Sequence, residues 1–338
     1  MSDNPQIGNL GELRLIKIIE HLVKEKTGKL LIRDDAFFFD IPKREFKENL
    51  VLNSDMLVSS TDVPPQMNSY QIGKKSVIMN ISDLLVKGVK PRGIIISLGL
   101  PKVLKKTSFL DIINGILDSS LKFNLELIGG DINETEEIII NPTVFGFEKP
   151  SNIILREGIK VDDILVINKK FGLTGVGFEI LLHKKDPNHF INYSRSIKSV
   201  LEPEVSGIEA DILSKRKLAT SSIDSSDGLS KSLLDLMISN PNIGFEIDFN
   251  EDLIDDEAIK YSQEFSFRLE DLVFNGGEEY IHLFTLSEKD FSKAKKEIEL
   301  KSGKLIKIGK VIPEEHIYVM KDNKKIELKS YGFAHFNK

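Results

Sequence analysis

The sequence predicts an α/β protein of two domains. Three observations carry that expectation. At 338 residues the chain exceeds the usual extent of a single hydrophobic core. Apolar residues alternate between helical and strand periods as far as Phe147. The pattern then lapses around Pro150 and a second series of strands and helices follows.

In chain order, Gly11-Glu12-Leu13-Arg14-Leu15-Ile16 opens a helix with Leu15, Ile18, Ile19 and Leu22 on one face, ended at Thr27-Gly28. Leu30 to Ile32 reads as a short strand delivering Asp34 and Asp35, and Leu50 to Leu52 as another delivering Ser54 and Asp55. Ser69 is the expected N-cap of a helix containing Ile72, Val77, Met79 and Val86, which Gly88 stops and Pro91 keeps from resuming. Within it, the apolar run from Ser76 to Asp83 presents Asn80, Ser82 and Asp83 together. Ile94 to Leu98 is a buried strand. Phe109, Ile112, Ile113, Ile116, Leu117 and Leu121 follow the 3.6-residue period of an amphipathic helix. Leu125 to Ile128 forms a strand running into Gly129-Gly130-Asp131, and Ile138 to Phe147 completes the α/β layer.

Glu148-Lys149-Pro150-Ser151 marks the expected boundary, dividing the chain into residues 1–148 and 149–338. Beyond it, Ile164 to Ile167 is a strand, Thr174-Gly175-Val176-Gly177 starts a helix, and residues 204–217 form another helical segment. Leu218 to Ile223 is a strand leading into Asp224-Ser225-Ser226-Asp227-Gly228, and Leu229 to Met237 returns as a helix. Strands at Tyr280 to Leu286, Leu305 to Val311 and Ile317 to Met320 close the second domain.

The composition, 41% hydrophobic and 29% charged, is that of an ordinary globular protein. There is no cysteine, which excludes disulfides, thiolate metal sites and a catalytic thiol. A formal net charge of −6 argues against a dominant nucleic-acid function. No apolar run reaches the roughly 18 residues of a membrane span, and Met1-Ser2-Asp3-Asn4 lacks a signal-peptide pattern, so a cytoplasmic location is expected. The P-loop and protein-kinase signatures are missing, and the six histidines show no zinc-protease spacing.

What the sequence offers instead is acid. Asp34-Asp35 and Asp55, each taken alone, suit a turn or helix cap better than a ligand. Gly129-Gly130-Asp131 suits a tight turn equally, although two glycines let backbone amides approach a phosphate while the acid holds its metal. Asp224 and Asp227 bracket two serines ahead of a helix start that can face an anion. Asp83, within an apolar helical stretch, must be paired, hydrated or metal-bound. Six converging carboxylates raise each other's pKa unless a cation intervenes. Magnesium matches such hard oxygen donors, so a magnesium-dependent, ATP-using enzyme is expected.

Taken in order, Gly11-Glu12-Leu13-Arg14-Leu15-Ile16, Asp34-Asp35-Ala36, Ser54-Asp55-Met56-Leu57-Val58, Asn80-Ile81-Ser82-Asp83-Leu84, Gly129-Gly130-Asp131, Asp224-Ser225-Ser226-Asp227-Gly228-Leu229, Gly276-Gly277-Glu278-Glu279-Tyr280 and Gly332-Phe333-Ala334-His335-Phe336 resemble the thiamine-monophosphate kinases of the aminoimidazole-ribonucleotide-synthetase-like superfamily. The resemblance covers nearly the whole chain, and it is the ordered set that is specific. It implies a two-domain fold in which each domain packs a mixed sheet against helices. It further implies transfer of the γ-phosphoryl group of ATP to thiamine monophosphate, in a homodimer built through the N-terminal sheets.

By that similarity Asp35, Asp55, Asp83, Asp131 and Asp224 hold several magnesium ions, helped by Asn53 and Ser54, and Asp227 holds a further one. Asn114, Gly130, Asp131, Arg156 and Ser226 contact ATP. Asp62, Glu278 and Phe333 stand at the acceptor. The N-terminal domain binds ATP and magnesium and dimerises, and the C-terminal domain completes the nucleotide and substrate site. Three positions depart from the family's usual pattern: Arg33 for glycine, Glu279 for aspartate, and Asp62 for a substrate-contacting histidine. Asp62 and Arg33 keep two alternatives open, a non-catalytic ATP-binding paralogue and an ATP-dependent enzyme with a different acceptor.

Overall fold

The computed structural model describes residues 7, 10, 12–29, 48–183 and 187–328. The expected strand at 30–32, Asp34, Asp35, and the aromatic tail with Phe333 lie outside the described residues. The chain folds as two units, one of residues up to 84 together with 90–150, the other of 85–89 and 151 onward.

The first unit holds helices α1 (Glu12–Thr27), α2 (Ser59–Asp62), α3 (Ser69–Val86) and α4 (Lys106–Lys122). Its strands are β1 (Asn49–Asn53), β2 (Leu57–Val58), β3 (Pro91–Leu100), β4 (Glu126–Glu134) and β5 (Ile139–Glu148). The sheet runs β1-β5-β3-β4, with β2 also on β5. Only β3 and β4 are parallel, so the sheet is mixed. Ile81 and Leu84 of α3, Phe109 and Ile112 of α4, and Ile94 and Ile140 of the strands are buried in its interior. Burying each such side chain contributes roughly 1.5–3 kcal/mol.

Helices α3 and α4 approach unusually closely. A Cβ on Gly73 would lie 2.1 Å from the Ile112 carbonyl oxygen, and one on Gly115 would lie 2.1 Å from that of Tyr70. Each helix thus offers a glycine to the other's backbone, and no larger residue fits.

Several local expectations are corrected. The cap of α3 is Asn68 rather than Ser69: Asn68 Oδ1 accepts the Gln71 N–H at 2.9 Å while Gln71 Oε1 accepts the Asn68 N–H at 3.0 Å, a reciprocal capping box. Leu121 is exposed, because four residues past buried Leu117 a helix has turned about 40° beyond the same direction. Gly129-Gly130-Asp131 is no turn. β4 runs straight through it, with Gly130 opposite Ile96 and Asp131 opposite Ser97 after a bulge.

The second unit contains helices α5 (Leu173–Phe178), α6 (Ser194–Leu201), α7 (Ile208–Arg216), α8 (Leu229–Ser239), α9 (Asp256–Phe265), α10 (Leu269–Phe274) and α11 (Glu288–Glu299). Its strands are β6 (Ile164–Ile167), β7 (Ala219–Ser225), β8 (Gly244–Asp248), β9 (Ile281–Leu286), β10 (Ile306–Ile312), β11 (Ile317–Lys321) and β12 (Lys324–Glu327). They form one mixed sheet in the order β12-β11-β8-β10-β6-β9-β7, in which only β11 and β8 are parallel.

Both faces of this sheet are covered. Leu165 and Ile167 join a cluster with Val176, Leu233, Tyr261 and Leu272, whereas Ile164 and Val166 join another with Ala210, Leu213, Ala294 and Ile298. That is why β6 reads as an unbroken apolar run instead of an alternation. The helical stretch expected at 204–217 is helical only from Ile208, since Pro203 ends the preceding helix and residues 203–207 stay irregular.

Candidate active site

In the first unit the end of β1 and the last turn of α3 bring three predicted site residues together. The Asn53 amide donates to Asp55 Oδ2 at 3.1 Å and to Asp83 Oδ2 at 2.8 Å. Two carboxylate oxygens therefore sit within reach of one donor, an arrangement compatible with a hard divalent cation. Asp83, three residues beyond Asn80, shares its helix face. Fully buried Asn80 accepts the Asp55 N–H at 2.7 Å through Oδ1 and returns a 2.9 Å bond from Nδ2 to the Asp55 carbonyl. The main chain of Asp55 is thereby held at both ends.

The other predicted residues of this unit are placed differently. The Ser54 hydroxyl lies 3.0 Å from the Pro142 carbonyl and 3.2 Å from Asn141 Oδ1, turned toward β5. Asp131 and Gly130 are exposed on β4, at the edge of the sheet, where Gly130 also lets β3 pass close. Asn114 is half-buried on α4. Asp62 bends back on its own turn, its Oδ2 accepting the Val58 N–H at 2.7 Å, while its carbonyl accepts a bond from the buried Lys75 ammonium. Among the described residues no three acidic or histidine side chains gather closely enough to cage a metal unaided.

In the second unit two motifs distant in sequence are stitched together. Asp224, the last residue but one of β7, is almost fully buried opposite His282 of β9. Past it, the Glu278 N–H donates to the Ser226 carbonyl, and the Tyr280 N–H donates to the Ser225 carbonyl at 2.9 Å. Ser226 and Glu278 therefore come side by side, with Asp227 half-buried just before α8. Arg156 is exposed in a segment that lines the free edge of β7, where the Ser222 N–H donates to the Leu155 carbonyl at 2.9 Å. That segment is gripped by Asn240, at the end of α8. Its Oδ1 accepts from Gly158 and Ile159 N–H at 2.9 and 3.1 Å, and its Nδ2 donates to the Arg156 carbonyl at 2.9 Å.

Comparison with known proteins bears on both units. The thiamine-monophosphate kinase of Nitrosopumilus maritimus (strain SCM1) is 32% identical over 332 residues, spanning 98% of this chain and 100% of that one. The chain belongs to the thiamine-monophosphate kinase family. Residues 33–147 also match the family described as AIR synthase related protein, N-terminal domain. Among solved structures, AaThiL complexed with AMPPCP and TMP is 25% identical, covers 99% of this chain and 100% of that one, and has a TM-score of 0.74. Thiamine-monophosphate kinase from Stenotrophomonas maltophilia K279a covers 94% and 98% at 21% identity, with a TM-score of 0.79. The two mixed sheets with their helices are thus the AIR synthase-like fold of this kinase family.

Sequence reasoning left three side chains that hold predicted residues or their motifs in place without a role. Asn80 was visible as a neighbour of Asp83, but its grip on Asp55 crosses 25 residues of sequence. Asn240 carries no local signal at all. Glu279 stands two residues after a glycine pair, and nothing in that motif announces that its carboxyl is buried.

Proposed function

We propose that this chain transfers the γ-phosphoryl group of ATP to thiamine monophosphate, releasing thiamine diphosphate and ADP. The observation that carries the reading is the match, over essentially both full lengths, to a thiamine-monophosphate kinase at 32% identity. The likeness to a family structure holding an ATP analogue together with TMP supports the same pair of ligands.

The acceptor is itself a phosphate monoester with a second pKa of about 6, so near neutrality it is already largely a dianionic nucleophile. No general base is needed. The protein's task is to hold two polyanions in line and offset their repulsion. Asp55, Asp83 and Asp131, with Asp35 and Asn53, are assigned to magnesium in the first unit, and Asp224 and Asp227 in the second; Ser54, turned toward β5, is not. Bound there, magnesium neutralises charge on the transferring phosphoryl group. The convergence of Asp55 and Asp83 on one amide supports this assignment.

Gly130, Asp131, Arg156, Ser226 and Asn114 are assigned to ATP. Arg156 supplies a fork suited to phosphate oxygens, on a segment that Asn240 ties down. Glu278 and Phe333 are assigned to the acceptor. The Asp62 carboxylate engages its own backbone, which favours a role in shaping the turn beside the acceptor over direct contact with its phosphate. Residues 1–148 and 149–338 are taken as the nucleotide-metal and substrate-completing domains. A cytoplasmic location is consistent with the lack, among the described residues, of any helix long and apolar enough to cross a membrane.

A homodimer through the first sheet accounts for its uncovered apolar face. Leu50 and Leu52 of β1 and Ile95 of β3 are 53%, 57% and 38% exposed. Leu52 lies opposite Phe145, and Ile95 lies opposite Thr143, two residues away on β5, so these side chains share one face.

Phosphorus NMR of the purified chain with Mg-ATP and thiamine monophosphate, beside a sample lacking the acceptor, tests the reaction. Thiamine diphosphate and ADP are expected in the first sample only. ADP and free phosphate in both samples would mean another acceptor, and unchanged ATP with measurable ATP binding would mean a regulatory paralogue.

A further inference from the structure

Glu279 has no part in the reaction outlined above, yet its environment is among the most constrained in the second unit. Its carboxyl is buried, and Oε1 alone collects three donors from the start of α5: Gly172 N–H at 2.8 Å, Thr174 N–H at 3.3 Å and Thr174 Oγ1–H at 3.1 Å. Oε2 is also buried and meets no hydrogen-bond partner.

The residues on either side hold left-handed backbone, with φ of +58° at Glu278 and +48° at Tyr280. Non-glycine residues rarely adopt that conformation, and it persists where surrounding contacts over-determine it. Here the contacts are visible. The N–H groups of Glu278 and Tyr280 are bonded to the Ser225–Ser226 turn, while the intervening side chain is bonded to α5 in another direction. Gly276 completes the seat, since a Cβ there would lie 3.0 Å from the Gly175 nitrogen. Residues 276–280 are therefore held by β7's turn through their backbone and by α5 through Glu279.

We propose that Glu279 is a positioning residue for the acceptor: by strapping residues 276–280 to the first turn of α5, it fixes where Glu278 presents its carboxylate beside Ser226. This rests on the role given to Glu278 above. Charge agrees with the geometry. Burial, the dominant cause, reinforced by the negative charge of Asp255, pushes the Glu279 carboxyl up to about 8 despite the three donors. The strap is thus mostly neutral at pH 7, so it adds little negative charge beside an anionic substrate. A glutamine can replace it, keeping a carbonyl oxygen for the same donors.

The test is steady-state kinetics with calorimetric binding of thiamine monophosphate, on the native chain and on Glu279→Gln, Glu279→Ala and Thr174→Val. Glu279→Ala is expected to raise the acceptor's KM and Kd about tenfold, equivalent to roughly 1.4 kcal/mol, with the KM for ATP and kcat little changed. Glu279→Gln should retain native values. Thr174→Val, which removes only one of the three donors, should shift the acceptor's KM in the same direction and serves if Glu279→Ala does not fold. A purely structural role would lower the folded fraction while leaving both KM values alone. An unmoved acceptor KM in folded Glu279→Ala or in Thr174→Val overturns the proposal while leaving the function intact. Failure of the native chain to make thiamine diphosphate overturns the function, and this role with it.

Discussion

Asn80 uses its whole side chain on main-chain partners: besides the two bonds to Asp55, its Nδ2 donates to the Ser76 carbonyl at 3.0 Å. Removing it leaves buried backbone groups without partners, which costs about 1–3 kcal/mol. Asn80→Ala should therefore lower stability by that amount in denaturant melts. It should also weaken Mn2+ binding, followed by loss of the free-ion EPR signal, because Asp55 loses its restraint. Unaltered Mn2+ affinity would detach Asp55 from the metal. Glu279 gives a second expectation at this scale. In the unfolded chain it ionises above its ordinary 4.5, whereas in the fold it keeps its proton up to about 8. The folded state thus binds more protons between those values, and this group's contribution makes stability fall as pH rises from 4.5 to 8 and then level off. Melting temperatures across that range should show a shallower fall in Glu279→Gln, and an identical slope would refute the buried acid.

At the scale of elements, the segment carrying Arg156 owes its path to one helix end. Asn240→Ala removes three bonds to residues 156–159, so the KM for ATP should rise while that for the acceptor stays put. The opposite split would place Arg156 away from the nucleotide. Most elements were legible from periodicity: α4 and β6 lie within a few residues of where their apolar patterns put them. What escaped was set by pairing. β4 continues through Gly129-Gly130-Asp131 because β3 lies parallel to it, and no local rule distinguishes such a strand from a turn. β8 escaped for a related reason. It is a five-residue strand, Gly244–Asp248, that earns its place between β10 and β11 by tertiary contact.

For the whole molecule, the acids were readable as a set but their surroundings were not. Asp83 is nameable because a carboxylate in an apolar stretch demands a partner, and Asp55 only through the ordered set of motifs; that both meet the Asn53 amide depends on the fold bringing β1 to α3. The Ser54 hydroxyl was equally plausible on paper and faces β5 instead. Assembly carries its own prediction. Leu52→Asp puts a charge on the apolar face of the first sheet and should convert a dimer to monomers in sedimentation velocity, without changing the circular dichroism. A native chain that already sediments as a monomer would remove the dimer.

The reciprocal glycines of α3 and α4 bear on how this protein tolerates mutational drift. Where helices rest on side chains, each substitution in the interface resets their spacing, and a residue on the far side moves with it. Here backbone meets backbone at Gly73 and Gly115, so exchanges among neighbouring core residues leave the height of α3 over α4 largely unchanged. Asp83 is insulated from that drift. The same arrangement concentrates vulnerability: in a library of α3 variants, apolar exchanges at Ile72 or Val77 should be recovered far more often than any substitution at Gly73.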